Sequence, residues 1–577
     1  MQSNSGRYVI TFNGEIYNYA ELRNELNKQI RINWRGASDT EVILEAMEFW
    51  GLVNSIKKFI GMFAFALWDR KENKLYLARD RLGKKPLYWG HFNGLFLFGS
   101  ELKALRAHPG WHPEIDREAL ATFMRYNYIA APRSIYRGIY KLPPGSLLTL
   151  VPGHKPEVKS YWNLLDIVPA AVRDRKPLPE EEWIRETEDL LEEAVTCRMI
   201  ADVPLGAFLS GGIDSSTIVA LMQKNSGGRV RTFSIGFGED EFNEAGHAGR
   251  IARHLGTDHT EFYVSPEDAL AVIPKLPQIY DEPFSDSSQI PTYLVAGLTR
   301  RHVTVALSGD GGDEVYAGYN RYLYADKLMQ CLNLLPSFAK RSLASIITSV
   351  PPDAWNRLSG YLLRRFRMPE LGDKLYKLAD VLGVEKAETY RKLVSHWQRP
   401  EDIVIGAVEP DALTLKDAEI AGIKTVLEQM QLLDTATYLP DDILTKVDRA
   451  TMAVSLEART PFLDHRLVEH AWKLPLQMKV RNGQGKWILR RILSKYVPEE
   501  FLERPKMGFA LPIGAWLRGP LRDWAESLLD RNRIAAQGYL NYAPVKQKWE
   551  EHLSGRRNWQ YHLWDVLMFQ AWLERWM

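Results

Sequence analysis

Cysteine is almost absent. Cys197 and Cys331 are the only two in 577 residues, far apart and without C-x-x-C spacing. That excludes a disulfide framework and a cysteine zinc site, and fits a reducing, cytoplasmic setting. Also missing is an apolar run of the roughly 18 residues that a membrane-spanning helix needs. The opening residues, "MQSNSGRYVITF", carry no basic segment ahead of an apolar core, so no signal peptide is expected. Charge of one sign is lacking too: 74 Lys and Arg stand against 72 Asp and Glu, a formal net charge of +2. A bulk electrostatic case for nucleic acid is therefore absent. Local basic clusters such as "LLRRFR", residues 362–367, read as solvated helix faces. No G-x-x-x-x-G-K-S/T string occurs, so a Walker A phosphate loop is excluded. No fixed-period repeat or low-complexity tract is found.

What is present is the composition of an ordinary soluble protein, 45% hydrophobic and 25% charged. Such a length suggests two or three domains, each able to bury its own core. The first 160 or so residues read mainly as strands. "RYVITFNG", "GMFAFALWD", "KLYLARD", "PLYWG" and "GLFLFGS" are short and β-rich, and "NYAELRNELNKQ" and "SDTEVILEAMEFWG" have helical periodicity. This predicts an α+β domain over residues 1–162, a sandwich of antiparallel sheets. "VPAAVRDRKPLPEEE" has the proline and charge content of a linker, placed at 163–182. From Trp183 strands alternate with helices, which predicts a doubly wound parallel sheet in an α/β domain over residues 183–577, with a helical C-terminal part. The aromatic run "NWQYHLWDVLMFQAWLERW" at the end is expected to lie in the core.

Ligands of doubly wound sheets bind beyond the carboxyl ends of the strands. The chain places its glycine-rich turns there. "GAFLSGGIDSSTIVALM" is a short strand, two glycines and the start of a helix, an arrangement that gathers backbone N–H groups for an anion. "SGDGGDE", Ser308 to Glu314, follows a later strand in the same way.

"SGGIDSS" resembles the pyrophosphate loop of the N-type ATP pyrophosphatases, which cleave ATP to AMP and pyrophosphate. The resemblance implies that Ser210, Gly211, Gly212, Ser215 and Ser216 surround the phosphates. Asp214 and Asp313 would hold Mg²⁺ against them. Ser308 and Gly309 would lie near the nucleotide. Longer motifs then choose among the families that share this loop. "FNGEIYNY", "SDTEVIL" and "LARDRLGKKPLYW" resemble the glutaminase domain of asparagine synthetases. "DRATMAVSLEARTPFLDHR", "GKWILRRIL" and "RPKMGFALPIGAWL" resemble the synthetase domain of the same family. The chain thus resembles a glutamine-hydrolysing asparagine synthetase from about residue 7 to about residue 520.

That resemblance implies ATP-dependent amidation of aspartate through a β-aspartyl adenylate, with glutamine or ammonia as nitrogen donor. Asn13 and Gly14 would form the oxyanion hole of the glutaminase. Glu15 and Asp39 would hold the α-amino group of glutamine, although Asp39 also fits a helix N-cap. Leu209 and Ile235 would line the adenine pocket. Asp310, one methylene shorter than the glutamate of many relatives, would serve adenylate formation, and Lys486 would neutralise phosphate charge. The partners implied are small molecules, and a homodimer is compatible with the family. Amidation of another carboxylate, such as one on a cell-envelope sugar or secondary metabolite, and a catalytically silent scaffold are the alternatives.

Two features depart from the family. Its glutaminase uses an N-terminal cysteine whose own α-amino group is the base, whereas this chain opens Met1-Gln2. Cys197 reads as a core residue of a helix. Entry into "FNGEIYN" at residue 12 leads to the expectation that one unit, with that cysteine and a glutamine-binding arginine, has been lost or lies upstream of the given start, leaving bare sheet edges. The second departure is at the acceptor. "YDEPFSDSSQIPTYL", residues 280–294, holds no arginine for an α-carboxylate, which leaves Arg321, Arg449 and Arg459 as candidates.

Overall fold

The structure is a computed structural model describing residues 1–92, 94–237, 245–325, 336–361, 371–382, 384, 386–420, 422–502 and 511–577. Cys331, the 362–367 basic cluster and much of the "RPKMGFALPIGAWL" motif lie outside the described residues. The N-terminal strands are β1 (Tyr8–Ile16), β2 (Gly61–Asp69), β3 (Lys74–Arg79), β4 (Tyr88–Phe92), β5 (Leu95–Gly99), β6 (Ile139–Lys141), β7 (Ser146–Leu150) and β8 (Glu157–Ser160). They form two antiparallel sheets, β1-β2-β3-β7-β8 and β5-β4-β6.

Period-two patterning explains how these layers stack. In β2, Phe63, Phe65 and Leu67 face a core shared with helices Tyr19–Gln29 and Asp39–Trp50. The intervening Ala64 and Ala66 face the smaller sheet, packing with Leu77, Leu148, Trp89 and Phe96. The expected bare edge on β1 is partly covered. Gln2 pairs with Val9, and Met1 and Ile10 exchange backbone hydrogen bonds at 2.8 and 2.9 Å.

The second sheet is wholly parallel. Its strands β9 (Leu205–Phe208), β10 (Arg231–Phe237), β11 (Asp258–Val264), β12 (Val305–Leu307) and β13 (Glu457–Arg459) run in the order β11-β10-β9-β12-β13. Strand order therefore reverses between β9 and β12. That switch point puts "SGGIDSS" and "SGDGGDE" side by side at the strand ends, where such sheets take ligands. The short β13 was not foreseen from sequence.

Two expectations need correction. The segment read as a linker carries a helix, Leu164–Arg173, capped by Asn163, with Leu164, Val168 and Ala171 buried against helix His465–Lys473. Pro169 sits inside it, so proline content misled the reading. Cys197 is only half-buried, its thiol turned to the Ala194 carbonyl. The C-terminal aromatic helix Gln560–Trp576 is core, as expected, but part of that core comes from the N-terminal domain: Trp564, Phe569 and Trp572 share it with Phe123 and Tyr136. Among the described residues no helix is long and apolar enough to cross a membrane.

One buried ion pair fastens the parallel sheet's flank. Asp464 caps helix His465–Lys473 and accepts from Arg198 at 3.2 Å, both side chains being almost fully buried. Burial opposes the Asp464 charge, but Arg198 and Arg466 hold its carboxyl well below the usual carboxylate range. Removing one partner of such a pair strands the other charge. Asp464→Asn should cost about 3–5 kcal/mol in urea unfolding at neutral pH. Because the folded pKa is depressed, the stability due to this carboxylate is present above the unfolded pKa and lost as pH falls toward the folded one. The gap between wild type and variant should therefore narrow below about pH 4.

Candidate active site

The first glycine turn is built for close approach. After β9, the Leu209 N–H continues the ladder to the Phe233 carbonyl at 2.8 Å, and Ser210, Gly211 and Gly212 lead into helix Ile213–Lys224. Gly211 has φ +76°, and a Cβ there would lie 2.7 Å from the His247 ring. The Ser210 and Ser215 hydroxyls lie 3.0 Å apart, and Ser215 Oγ also accepts the Ser210 N–H. Ser216 is fully buried, unlike the rest of the turn. Gly211→Val should cost roughly 1–3 kcal/mol of strain. It should also lower pyrophosphate release at least about 100-fold, by filling the space where phosphates would meet the backbone. A folded variant with near-normal turnover would contradict the phosphate-loop reading.

The second loop interlocks with the first. Ser308 N–H bonds the Arg459 carbonyl at 2.8 Å, and its hydroxyl donates to the Asp310 carboxylate at 2.5 Å. Gly309 lies so close that a Cβ would come 2.8 Å from Ser215 N and 2.9 Å from Asp214 Cβ. A Cβ at Gly312 would strike the Asp214 carboxylate. Lys486 ties the two loops together: its Nζ pairs with Asp214 and lies 2.6 Å from Asp313 Oδ1. It precedes helix Trp487–Leu493 with φ +57° and is buried, not the solvated residue usual at that position. Burial alone would lower its pKa, but the two carboxylates outweigh it and hold the ammonium raised.

The same geometry bears on a metal. Asp214 and Asp313 converge on a single cation, so one divalent ion could reach both. Two carboxylates completed by phosphate oxygens and water are a donor set suited to Mg²⁺. Among the described residues there is no cage of three or more His, Cys, Asp or Glu. Leu209 and Ile235 are both buried; Ile235 packs in a small cluster with Val264 and Val295, so only its backbone is left to face a ligand.

The four N-terminal candidates also come together. Asn13 and Gly14 lie on β1 opposite Ala64 and Phe63, and a Cβ on Gly14 would strike the Met62 carbonyl. Asn13 Nδ2 donates to Ser100 Oγ at 3.2 Å, a partner the sequence did not suggest. Ser38, not Asp39, caps helix Asp39–Trp50, which leaves the Asp39 carboxylate to accept the Ile16 N–H at 3.0 Å. Burial pushes Glu15 up to about 7, with the Asp39 charge adding to it, and burial raises Asp39 as well. Such a pair suits an ammonium ligand. Arg459 of β13 reaches Glu15 at 3.6 Å, linking this site to the strand that bonds Ser308.

The three arginines considered for the acceptor are already engaged. Arg321 forks onto the fully buried Asp434 at 2.6 and 3.1 Å. Arg449 binds Glu101 at 3.1 Å and the Ser100 carbonyl at 2.9 Å, and Arg459 binds Glu457 at 2.6 Å and the Ile200 carbonyl at 2.6 Å. Sequence alone shows an arginine but not whether folding has already used it.

Comparison with known proteins agrees with this division of sites. The asparagine synthase family model matches residues 186–574, and the glutamine amidotransferase domain model matches residues 1–162. Glutamine-hydrolysing asparagine synthetase 1 of Bacillus subtilis (strain 168) is 34% identical over 568 residues, 98% of this chain and 85% of that protein. Asparagine synthetase 3 of the same organism is 28% identical over 91% of this chain and 81% of its own length. Amidase chyE of Penicillium rubens is 27% identical over 95% of this chain and 83% of its own length. With two interlocked glycine loops at the switch point of its parallel sheet and both family domains in order, the chain belongs to the asparagine synthase family.

Proposed function

We propose that the protein amidates L-aspartate to L-asparagine with ATP, through a β-aspartyl adenylate, releasing AMP and pyrophosphate. The observation that carries this reading is the junction of Asp214, Asp313 and Lys486 between the two loops. It gathers in one place the charges that a triphosphate and its Mg²⁺ need. Bound there, Mg²⁺ would be held by Asp214 and Asp313 and would withdraw charge from the pyrophosphate.

A β-carboxylate oxygen of aspartate attacks the α-phosphorus, and the bond to pyrophosphate breaks with its electrons on the leaving group. Gly211, Gly212 and Ser215 cradle the phosphates, and Lys486 neutralises charge on the phosphates as it shifts to the leaving group. Asp310, oriented by Ser308, borders the reacting carboxylate. Ammonia then attacks the acyl carbon, AMP leaves, and the nitrogen gives up a proton. Nitrogen from glutamine would be released at Asn13, Gly14, Glu15 and Asp39 in the domain spanning residues 1–162. Free ammonia would serve the same attack on the acyl carbon.

Asparagine and pyrophosphate formed in equal amounts from aspartate, ATP and ammonium salt would support the assignment. ADP and phosphate in their place would overturn it. A second reading keeps the chemistry but changes the acid, and it is favoured by the engagement of Arg321, Arg449 and Arg459 with carboxylates of the chain itself. A panel of carboxylic acids in the same pyrophosphate assay separates the two.

A further inference from the structure

The acceptor's second carboxylate needs a cation, and the structure offers one that sequence reasoning passed over. Lys84 and Lys85 are adjacent in the "LGKKPLYW" loop between β3 and β4, and both are 2% exposed. The loop is held rigidly. Asp80 accepts the N–H groups of Lys84 and Lys85 at 2.9 Å each, while Arg79 donates to the carbonyls of Gly83, Lys85 and Leu142 at 2.8 Å each. Lys85 Nζ is paired with Asp448 at 3.0 Å. Lys84 Nζ, equally buried, has no hydrogen-bond partner among the described residues. A buried ammonium left without a partner is costly, and a ligand carboxylate beside it would offset that cost.

Lys84 also lies at the join of the two domains. It lines two cavities along the join between the antiparallel domain and the parallel sheet, one with Tyr17, Met62 and Leu463, the other with Tyr88, Thr445 and Asp448. Leu463 in turn lies against Gly311 of the second loop, where a Cβ would come within 2.9 Å of its side chain. Burial and the neighbouring Lys85 lower the Lys84 ammonium, and Asp448, Asp310 and Asp80 act against that, so Asp310 is within its electrostatic reach. Lys446, the other lysine that Asp310 influences, is paired with Asp286 at 2.7 Å.

We propose that Lys84, supplied by the N-terminal domain, receives the carboxylate of the acceptor that is not adenylated. Acceptor recognition is then shared across the domain join. This rests on the amidation reading above. It places the cation missing from residues 280–294 on a different domain.

The test uses the full chain with ATP and ammonium salt, following pyrophosphate. In Lys84→Met the KM for aspartate should rise roughly 10- to 100-fold, the range for a lost charge-assisted hydrogen bond. The KM for ATP should hold, kcat should stay within a few-fold, and Lys84→Arg should restore most of the loss. β-Alanine, which is aspartate without its α-carboxylate, should be used equally by wild type and Lys84→Met. The methionine variant should melt no lower than wild type, because it removes an unpaired buried charge. An unchanged KM for aspartate, or a rise confined to ammonia, would overturn the assignment, as would equal slowing of aspartate and β-alanine. If wild type prefers another acid, only the aspartate assignment fails, and the KM ratio is read on that acid.

Discussion

Replacing Asp214 by asparagine should abolish pyrophosphate release with any nitrogen donor. The substitution keeps the shape of the side chain but removes a negative charge where, on the proposed reading, Mg²⁺ and the triphosphate would meet. Charge stabilisation at such a site is worth several kcal/mol, and each 1.4 kcal/mol or so is tenfold in rate, so a loss of roughly 1,000-fold or more is expected. Folding should survive, since Lys486 keeps Asp313 at 2.6 Å. A thermal melt close to wild type beside a lost signal would locate the defect in chemistry. Turnover within tenfold of wild type would remove Asp214 from the metal site.

The second large effect concerns nitrogen. A polypeptide limited to these 577 residues should make amide from ammonium salt and release glutamate from glutamine negligibly. Asn13 and Gly14 can stabilise a tetrahedral oxyanion, but only a nucleophile can create one. Cys197 is no substitute: its thiol sits on helix Glu180–Arg198 against the Ala194 carbonyl, and burial pushes its pKa up. Met1 donates its amine to the Ile10 carbonyl at 2.8 Å and carries only a thioether. Loss of a nucleophile removes roughly 10⁴-fold or more, with binding and the oxyanion hole supplying what is left. The synthetase loops stand on another sheet and need not share the defect. Ammonia-dependent activity should climb with pH as neutral NH₃ becomes available. Glutamate release matching amide formation, on protein whose N-terminus is confirmed by mass spectrometry, would require a nucleophile elsewhere.

The patterns that are local were legible from residues alone. Alternating Phe and Ala marked β2 as a strand, and the strand–glycine–helix grammar of "SGGIDSS" placed a glycine turn at a strand end. Features that depend on distant pairing were not. β13 is three residues long and joins β12 from far along the chain, so no periodicity marks it. The helix Leu164–Arg173 was partly legible, because Leu164, Val168 and Ala171 follow helical spacing. Pro169 and the charges after it outweighed that stripe. Lys84 and Lys85 are indistinguishable in sequence, and only folding shows that one is paired with Asp448 and the other is not. Likewise Arg321, Arg449 and Arg459 lose their claim on a substrate only once their carboxylate partners are seen.

The central claim is that the acceptor carboxylate, not water or ammonia, attacks the α-phosphorus of ATP. Aspartate labelled with heavy oxygen in its β-carboxylate tests this directly. In the presence of ATP and ammonium salt, mass spectrometry should find one labelled oxygen transferred to AMP and none in pyrophosphate. Unlabelled AMP, or label appearing in phosphate alongside ADP, would contradict it.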